Sequence, residues 1–282
     1  MPELPEVEVL VRHLAPLVRG RTIHDVTVRR ARVLRPTSPT TLRRTLRKAR
    51  ILNVSRRAKY LVFDLRPGTI RKPFCLVAHL GMTGRIYLAP KSRPLPKHAA
   101  VVLDLGRENL IYEDPRYFGR FMLDAAPLQR LGPEPLAADF SLASWQAALR
   151  RSTQAIKVKL LDQSLIAGIG NIYASEALHW AAISPRRAAR SLSRSEAARL
   201  RRGIRQVLRT AIRFGSTVPL RFESGHAGQL FYYGRDPGAP DYYTERLRVY
   251  DRQGQPCHRC GGLIRRLIQA GRSTYWCPGC QR

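Results

Sequence analysis

The chain has 282 residues, of which 44% are hydrophobic, and this composition excludes a disordered or collagen-like polypeptide. It contains no uncharged apolar stretch of about 18 residues, so no transmembrane helix is predicted, and the first residues lack the features of a secretory signal. The 50 basic residues outnumber the 20 acidic ones and give a formal net charge of +30. A folded protein this basic is expected to bind a polyanion, with nucleic acid the first candidate and an anionic membrane surface the second.

The first part of the chain carries one helical segment followed by many short strand signals. Apolar residues at helical spacing predict a helix over residues 3–15, with Pro5 in its first turn. Apolar runs separated by glycine-containing turns predict strands at residues 22–28, 51–55, 60–65, 74–79, 85–88, 100–105, 110–113 and 121–124. Short strands at this spacing are typical of an antiparallel sandwich or barrel.

The second part of the chain is predicted to be helical. A break at Leu131-Gly132-Pro133-Glu134-Pro135 indicates a domain boundary, and helices are predicted over about 141–150, 154–166, 171–182 and 193–214. Asn171 is expected to cap the third of these helices. Residues 215–246 lack a helical period and predict a long loop region, while residues 247–282 predict a small hairpin module. The expected domains are therefore 1–130, 131–246 and 247–282.

Four of the five cysteines form two closely spaced pairs near the C-terminus, Cys257-x2-Cys260 and Cys277-x2-Cys280. This spacing matches the four-thiolate zinc template, and four cysteine ligands predict one closed structural Zn²⁺ site. Disulfides or redox dithiols are the alternative. Because nothing suggests a disulfide framework, a reducing cytoplasm is the expected compartment. No organic cofactor is expected.

Two other features each allow a functional and a structural interpretation. The turn Gly168-Ile169-Gly170-Asn171 could expose helix-start amides to a phosphate, or its glycines could simply allow two helices to cross closely. If the initiator methionine is removed, Pro2 becomes a secondary amine with a pKa roughly two units below that of lysine, and such an amine is a nucleophile at neutral pH. The alternative is that Pro2 is only a chain terminus and that the neighbouring Glu3 and Glu6 only complement the helix dipole.

Five motifs in order along the chain resemble one known family. Residues 1–8 are similar to the opening of the formamidopyrimidine-DNA glycosylase/endonuclease VIII family, and the family's later motifs match residues 56–60, 79–84, 114–119 and 168–176, followed by the four-cysteine module. The resemblance covers nearly the whole chain. Leu4 and the Asp-Pro-Arg-x-Phe-Gly motif resemble the formamidopyrimidine (8-oxoguanine) branch rather than the endonuclease VIII branch.

The resemblance implies a fold and an activity. The fold is an α+β multidomain one: an antiparallel β-sandwich with an N-terminal helix, a helical helix–two-turn–helix domain and a C-terminal four-cysteine zinc-finger hairpin. The activity is that of a bifunctional DNA glycosylase/AP lyase that removes oxidised purines through an N-terminal proline Schiff base. The implied partner is damaged double-stranded DNA, with no membrane, and the protein is expected to be a monomer in the cytoplasm, on the nucleoid. The alternatives are an oxidised-pyrimidine glycosylase of the endonuclease VIII type and a non-catalytic damaged-DNA-binding protein.

The resemblance also implies roles for individual residues in catalysis. Pro2 would be the nucleophile and Glu3 the acid/base at the sugar, with Glu6 supporting that site. Lys59 would donate a proton during β-elimination. Arg272 would bind the phosphate beside the lesion and assist δ-elimination.

A second set of residues is implied in DNA binding. Met82, Arg116 and Phe118 would fill the hole that a flipped-out nucleotide leaves in the duplex. Phosphate or other DNA contacts are implied for Lys157, Asn171, His98 and Arg151. The chain departs from the family in two places. Tyr117 stands at position x of the Asp-Pro-Arg-x-Phe-Gly motif, where the family usually has arginine. Region 215–246, which caps the damaged base in the family, is longer than expected and rich in aromatic residues.

Overall fold

The computed structural model describes residues 2–68, 72–214 and 246–282, and these form two compact units. The described residues up to Gln129 belong to the first unit, and those from Arg130 onward belong to the second. The predicted lesion-loop region lies outside the described residues except for its last residue, Arg246. The domain limits proposed from the sequence stay predictions.

The first unit is an antiparallel β-sandwich preceded by a helix. Its elements are α1 (Leu4–Val18), β1 (Asp25–Val28), a 3₁₀ turn (Ala31–Leu34), α2 (Pro39–Leu46), β2 (Arg50–Arg57), β3 (Tyr60–Arg66), β4 (Phe74–His79), β5 (Arg85–Pro90), β6 (Ala99–Asp104), β7 (Glu108–Glu113), β8 (Arg120–Met122) and α3 (Ala126–Gln129). The strands form two four-stranded sheets, in the orders β1-β6-β7-β5 and β2-β3-β4-β8. Side chains from both sheets and from α1 share one buried core, so the predicted sandwich is confirmed.

Helix α1 forms where the apolar period predicts it. Leu4, Val7, Leu10, Leu14 and Val18 recur every three or four residues and are fully buried. The sequence analysis missed α2, because only two of its residues, Leu42 and Leu46, are buried and so short a pattern gives no clear period. This helix begins at Pro39, and the hydroxyl of Ser38 caps it by accepting from the amide of Thr41.

The second unit contains the remaining helices and a hairpin. Its elements are α4 (Leu142–Arg150), α5 (Ile156–Lys159), α6 (Asn171–Trp180), a 3₁₀ turn (Ala189–Ser191), α7 (Arg194–Phe214), β9 (Arg265–Gln269) and β10 (Arg272–Trp276). None of the helices within the described ranges is long and apolar enough to cross a membrane.

The helix predicted over residues 154–166 is wrong in length, since α5 ends at Lys159. Beyond it, Asp162 accepts a hydrogen bond from the amide of Ser164 at 2.9 Å, and the side chain of Gln163 accepts from the amide of Gly168 at 2.9 Å. Short polar side chains that bond nearby backbone groups compete with helix formation, and here they replace the rest of the predicted helix by turns.

The start of α7 provides a pH-dependent contribution to stability. Arg187 donates two hydrogen bonds to Glu196 and, together with the amide of Ser193, lowers the pKa of Glu196 from 4.5 to about 2. Because the folded-state pKa lies below the unfolded one, this stabilisation is complete above pH 4.5 and is lost as the pH falls towards about 2.

We therefore expect Glu196→Gln to reduce the acid-induced loss of unfolding free energy, measured by urea titration at pH values between about 5 and about 3. Asp139→Asn, which neutralises an exposed carboxylate of the same unit, is the matched control. If the unfolding free energy of Glu196→Gln falls with acid as steeply as that of the control, Glu196 does not provide the pH-dependent stabilisation.

Candidate functional site

The first turn of α1 holds two carboxylates beside Pro2. The amide of Glu3 donates to Glu6 Oε2 at 2.8 Å, and the Glu3 carboxylate accepts from the amide of Glu6. This reciprocal arrangement is a capping box, and it fixes the backbone that follows Pro2. Glu3 and Glu6 are only 2% and 3% exposed, and Pro2 is buried as well. Glu6 therefore has a structural role at the helix start whatever else it does.

Lys59 lies in the tight turn between β2 and β3. Arg57 pairs with Tyr60 across the hairpin, so Ala58 and Lys59 form a two-residue turn in which Ala58 has a φ of +52°. Arg56 connects this turn to α1. It donates to Glu8 Oε2 at 2.8 Å and to the carbonyl oxygen of Ala58 at 3.0 Å. These bonds tie the Lys59 turn to the helix whose first turn carries the two buried carboxylates.

His79 is a neutral imidazole beside Lys59. Burial, together with the nearby charges of Lys59 and Arg120, lowers the pKa of His79 from 6.5 to about 4. Its Nδ1 atom accepts a hydrogen bond from the amide of Gly81 at 3.0 Å. The sequence analysis quoted His79 within a motif and gave it no role. In the structure it holds the start of the loop that carries Met82.

Two loops of the first unit are braced by one buried carboxylate. Asp114 accepts hydrogen bonds from the hydroxyl of Thr83 at 2.8 Å, the amide of Gly119 at 2.8 Å and the amide of Arg116 at 3.2 Å. The loops also touch, because a Cβ atom on Gly81, which has a φ of +60°, would lie 2.6 Å from the nitrogen of Gly119. Residues 80–84 and 114–119 thus form one rigid pair of loops.

Large side chains project from this pair of loops. Met82 is 43% exposed and Phe118 is 48% exposed, so neither is a core residue. The guanidinium carbon of Arg116 lies 4.7 Å from the centroid of the Phe118 ring. The two braced loops thus carry the exposed thioether of Met82, the exposed ring of Phe118 and the guanidinium of Arg116. These are the three groups to which the family resemblance assigns the filling of the hole.

In the second unit, Lys157 and Asn171 bond directly to each other. Lys157 Nζ donates to Asn171 Oδ1 at 2.6 Å, and Asn171 Nδ2 donates to the carbonyl oxygen of Ser273 at 2.8 Å. The expectation that Asn171 caps its helix is wrong: Gly170 is the cap residue and Asn171 is the first helical residue. Its side chain is committed to Lys157 and to the hairpin strand β10, so it does not cap its own helix.

The other predicted contact residues lie at the surface. Arg272 is exposed as the first residue of β10, next to a turn in which Ala270 and Gly271 have φ values of +47° and +70°. Arg151 is exposed at the end of α4. His98 is half-buried just before β6, with its Nδ1 atom 3.4 Å from the hydroxyl of Tyr117.

The four C-terminal cysteines are arranged to hold a metal ion. All four Sγ atoms lie within 4.8 Å of one another, and two of the pairs, Cys257 with Cys280 and Cys260 with Cys277, are 3.8 and 3.4 Å apart. Tetrahedral coordination with zinc–sulfur bonds of about 2.3 Å places sulfur atoms about 3.8 Å apart. The cluster therefore fits a four-thiolate zinc ion, with no ligand position left for water.

Three family models match consecutive parts of this chain. The formamidopyrimidine-DNA glycosylase N-terminal domain matches residues 1–121, the formamidopyrimidine-DNA glycosylase H2TH domain matches 131–221, and the zinc finger found in FPG and IleRS matches 254–282. The formamidopyrimidine-DNA glycosylase of Thermus thermophilus is 42% identical over 288 aligned residues, which cover 100% of this chain and 98% of that protein. The chain belongs to the formamidopyrimidine-DNA glycosylase family.

Solved structures of formamidopyrimidine-DNA glycosylases agree with this assignment. The Lactococcus lactis enzyme, bound non-covalently to DNA containing an AP site, is 33% identical with a TM-score of 0.85, and the match covers 99% of each chain. MutM in complex with DNA containing carbocyclic 8-oxo-G is 34% identical with a TM-score of 0.86 and 100% coverage of each chain. The α+β multidomain fold predicted from the sequence is confirmed, and the zinc-finger match confirms the predicted structural zinc site.

Glu176, the last residue of a family motif, joins the helical part of this formamidopyrimidine-DNA glycosylase family member to its zinc module. Its carboxylate accepts hydrogen bonds from the amides of Arg248 at 2.8 Å, Val249 at 2.9 Å and Tyr250 at 2.9 Å. Burial raises the pKa of Glu176, and these three amides oppose the rise. The residue thus clamps the segment that leads into the zinc module.

We expect Glu176→Gln to destabilise the second unit by about 1–3 kcal/mol, because the new amide group faces a backbone N–H of residues 248–250, which then lacks its acceptor. Hydrogen exchange of the amides of residues 248–250 should become faster, and urea unfolding gives the free energy. Ser175→Ala, which removes a hydroxyl bond confined to α6, is the control. Unchanged exchange at residues 248–250 would show that Glu176 does not hold the segment.

Proposed function

We propose that this protein is a DNA glycosylase with AP lyase activity that removes 8-oxoguanine and formamidopyrimidines from duplex DNA in base excision repair. The observation that carries the proposal is Pro2 placed directly before two buried carboxylates, in a chain that matches formamidopyrimidine-DNA glycosylases along its whole length. Relatives solved with AP-site DNA and with 8-oxo-G DNA support the substrate class.

The reaction begins at Pro2 once Met1 has been removed. The secondary amine attacks C1′ of the damaged nucleoside, and the glycosidic bond breaks as the base leaves with the bonding electrons. The nitrogen then gives up its proton to Glu3, and its lone pair opens the C1′–O4′ bond to form an iminium ion. Glu3 passes the proton to O4′. Glu6 keeps the backbone of Glu3 in position through the capping box.

Strand cleavage follows from the iminium ion. The cation makes the C2′ proton acidic, and loss of that proton expels the 3′ phosphate in β-elimination. Lys59, only 6% exposed in its hairpin turn, supplies a proton during this step. Arg272 binds the phosphate beside the lesion and assists the departure of the 5′ phosphate in δ-elimination.

DNA binding uses residues of both units. Met82 and Phe118 occupy the space that the flipped nucleotide leaves, and Arg116 offers its guanidinium to the unpaired cytosine. Asn171, which Lys157 holds by a direct bond, contacts a phosphate beside the lesion, and His98 and Arg151 contact the backbone further away. The zinc ion, when bound, holds the hairpin that carries Arg272. Acting on DNA, the protein belongs on the nucleoid.

A panel of duplexes tests the proposal. Each carries 8-oxoguanine opposite cytosine, a formamidopyrimidine, an oxidised pyrimidine or no damage, and base release and strand cleavage are measured with enzyme in excess. We expect both products from the oxidised purines and little from undamaged DNA. Preference for the oxidised pyrimidine would contradict the substrate class. Binding without base release from any duplex would show that the protein is a non-catalytic damaged-DNA-binding protein with this fold.

A further inference from the structure

Tyr117 occupies position x of the Asp-Pro-Arg-x-Phe-Gly motif, between Arg116 and Phe118. Its side chain contacts other residues than its two neighbours do. Its backbone has a φ of +52°, in the left-handed region. Whereas Arg116 lies over the Phe118 ring, Tyr117 is half-buried and packs against the edge of the sandwich core. The rare backbone conformation thus separates Tyr117 from the two hole-filling neighbours.

The side chain of Tyr117 joins two basic residues that are distant in sequence. Arg30 Nε donates to the tyrosine hydroxyl at 3.1 Å, and the guanidinium carbon of Arg30 lies 5.6 Å from the ring centroid. The same hydroxyl lies 3.4 Å from His98 Nδ1. Arg30 follows β1, and His98 precedes β6, which pairs with β1. We call these three residues the Arg30–Tyr117–His98 cluster.

The tyrosine hydroxyl lies within hydrogen-bonding distance of both basic residues. Arg30 Nε donates to the tyrosine oxygen, and the tyrosine proton can be donated to His98 Nδ1 when that nitrogen is unprotonated. A neutral histidine that accepts at Nδ1 carries its own proton on Nε2, which makes Nε2 a donor. In that tautomer the cluster presents an N–H from His98 beside the guanidinium of Arg30, and both groups bind phosphate oxygens.

The charge of the cluster is available for a partner. Within the described residues, Arg30 hydrogen-bonds to Tyr117 and to the carbonyl oxygen of Arg29, and no carboxylate pairs with it. Arg30 is also exposed. Tyrosine stands here in place of the usual arginine of the motif and brings no charge itself, but it bonds to Arg30 and so places a guanidinium at this end of the loop.

We propose that Tyr117 is a positioning residue that holds Arg30 and His98 as a binding site for one phosphate of the DNA backbone. This inference rests on the proposed function and deepens it, since it names the groups that extend the DNA contact beyond the hole-filling loops. It also supplies a guanidinium, from Arg30, beside the position where the motif usually has an arginine.

Binding to a duplex with a tetrahydrofuran abasic analogue, measured by fluorescence anisotropy over a range of KCl concentrations, tests the proposal. Tyr117→Phe keeps the ring and removes the hydroxyl, so we expect binding about 5- to 10-fold weaker. The slope of log affinity against log salt should fall by about 0.9, the value for one phosphate contact. Base release in single turnover at saturating enzyme should keep its rate, because the cluster does not touch the reacting sugar.

Three further variants separate positioning from a merely structural role. Arg30→Gln should weaken binding as much as Tyr117→Phe, and the double variant should be no weaker than either, because both changes abolish the same contact. Tyr117→Arg should restore the affinity and the salt slope by supplying its own guanidinium. Tyr87→Phe removes a hydroxyl that bonds to Glu113 on the neighbouring strand, and it should bind like the wild type.

The outcomes separate the failure of this phosphate site from the failure of the proposed function. Unchanged affinity and salt slope in Tyr117→Phe, or additive losses in the double variant, would overturn the inference while leaving the proposed function in place. If the wild type does not prefer the abasic duplex to undamaged DNA, the proposed function fails and this inference fails with it. Non-additive losses with rescue by Tyr117→Arg would establish the cluster as a phosphate site.

Discussion

Replacing Pro2 with glycine is expected to lower base release and cleavage of abasic strands by about 10²- to 10³-fold. Glycine leaves a primary amine, whose imine must be protonated before it can draw electrons from the sugar, whereas the iminium of a secondary amine is always cationic. Glycine also removes the ring that is buried beside the capping box, so the amine is no longer held in one position. Single-turnover kinetics on 8-oxoguanine and abasic duplexes measure the loss.

The matched control is Pro16→Ala, which changes an exposed proline near the other end of α1. It should retain wild-type rates. The Pro2→Gly variant should also bind the tetrahydrofuran duplex with nearly unchanged affinity, because the loops that carry Met82 and Phe118 and the residues proposed to contact phosphates remain. A variant that lacks Pro2 but cleaves at the wild-type rate would show that another group is the nucleophile.

Loss of the zinc site is the second large effect that we expect. The C-terminal module has a very small core, formed by Val249, Cys257, Ile264, Tyr275 and Cys277, and two of these are metal ligands. A core of this size does not hold a fold without the metal. Cys277→Ser should therefore unfold the hairpin and weaken DNA binding by about 10²-fold, since Arg272 loses its position and the Ser273 bond to Asn171 is lost.

Hydrogen exchange of residues 246–282 and zinc content per chain test this prediction. The variant should exchange rapidly there and hold less than one zinc ion, while α7 stays protected. Cys75→Ser is the control, because Cys75 lies on β4 and its thiol donates to Asp64 rather than to a metal. Slow exchange in a zinc-free hairpin would mean that packing, and not the metal, maintains the module.

The features that sequence predicted well depend on local patterns. The buried face of α1 repeats every three or four residues, and the strands are bounded by glycine turns, so both are visible in the order of the residues. The zinc site was predictable for the same reason, since each pair of thiolates lies within one short turn. The roles of the exposed Met82 and Phe118 were predicted from the family resemblance alone.

The features that were missed depend on contacts between distant residues. Asn171 was expected to cap its helix, but Lys157 and the backbone of Ser273 occupy its side chain, and Ser273 lies about a hundred residues further on. Arg30, His98 and Tyr117 meet only because β1 pairs with β6 and places their flanking segments together. Glu176 binds amides that begin at Arg248. No local pattern encodes such pairings.

Borohydride trapping on an 8-oxoguanine:cytosine duplex, followed by peptide mass mapping of the adduct, tests the central claim most directly. Borohydride reduces the iminium and fixes the DNA to the residue that formed it. We expect one adduct on Pro2, with Met1 absent. An adduct on any other residue, or no adduct with this duplex or with a preformed abasic site, would contradict the account.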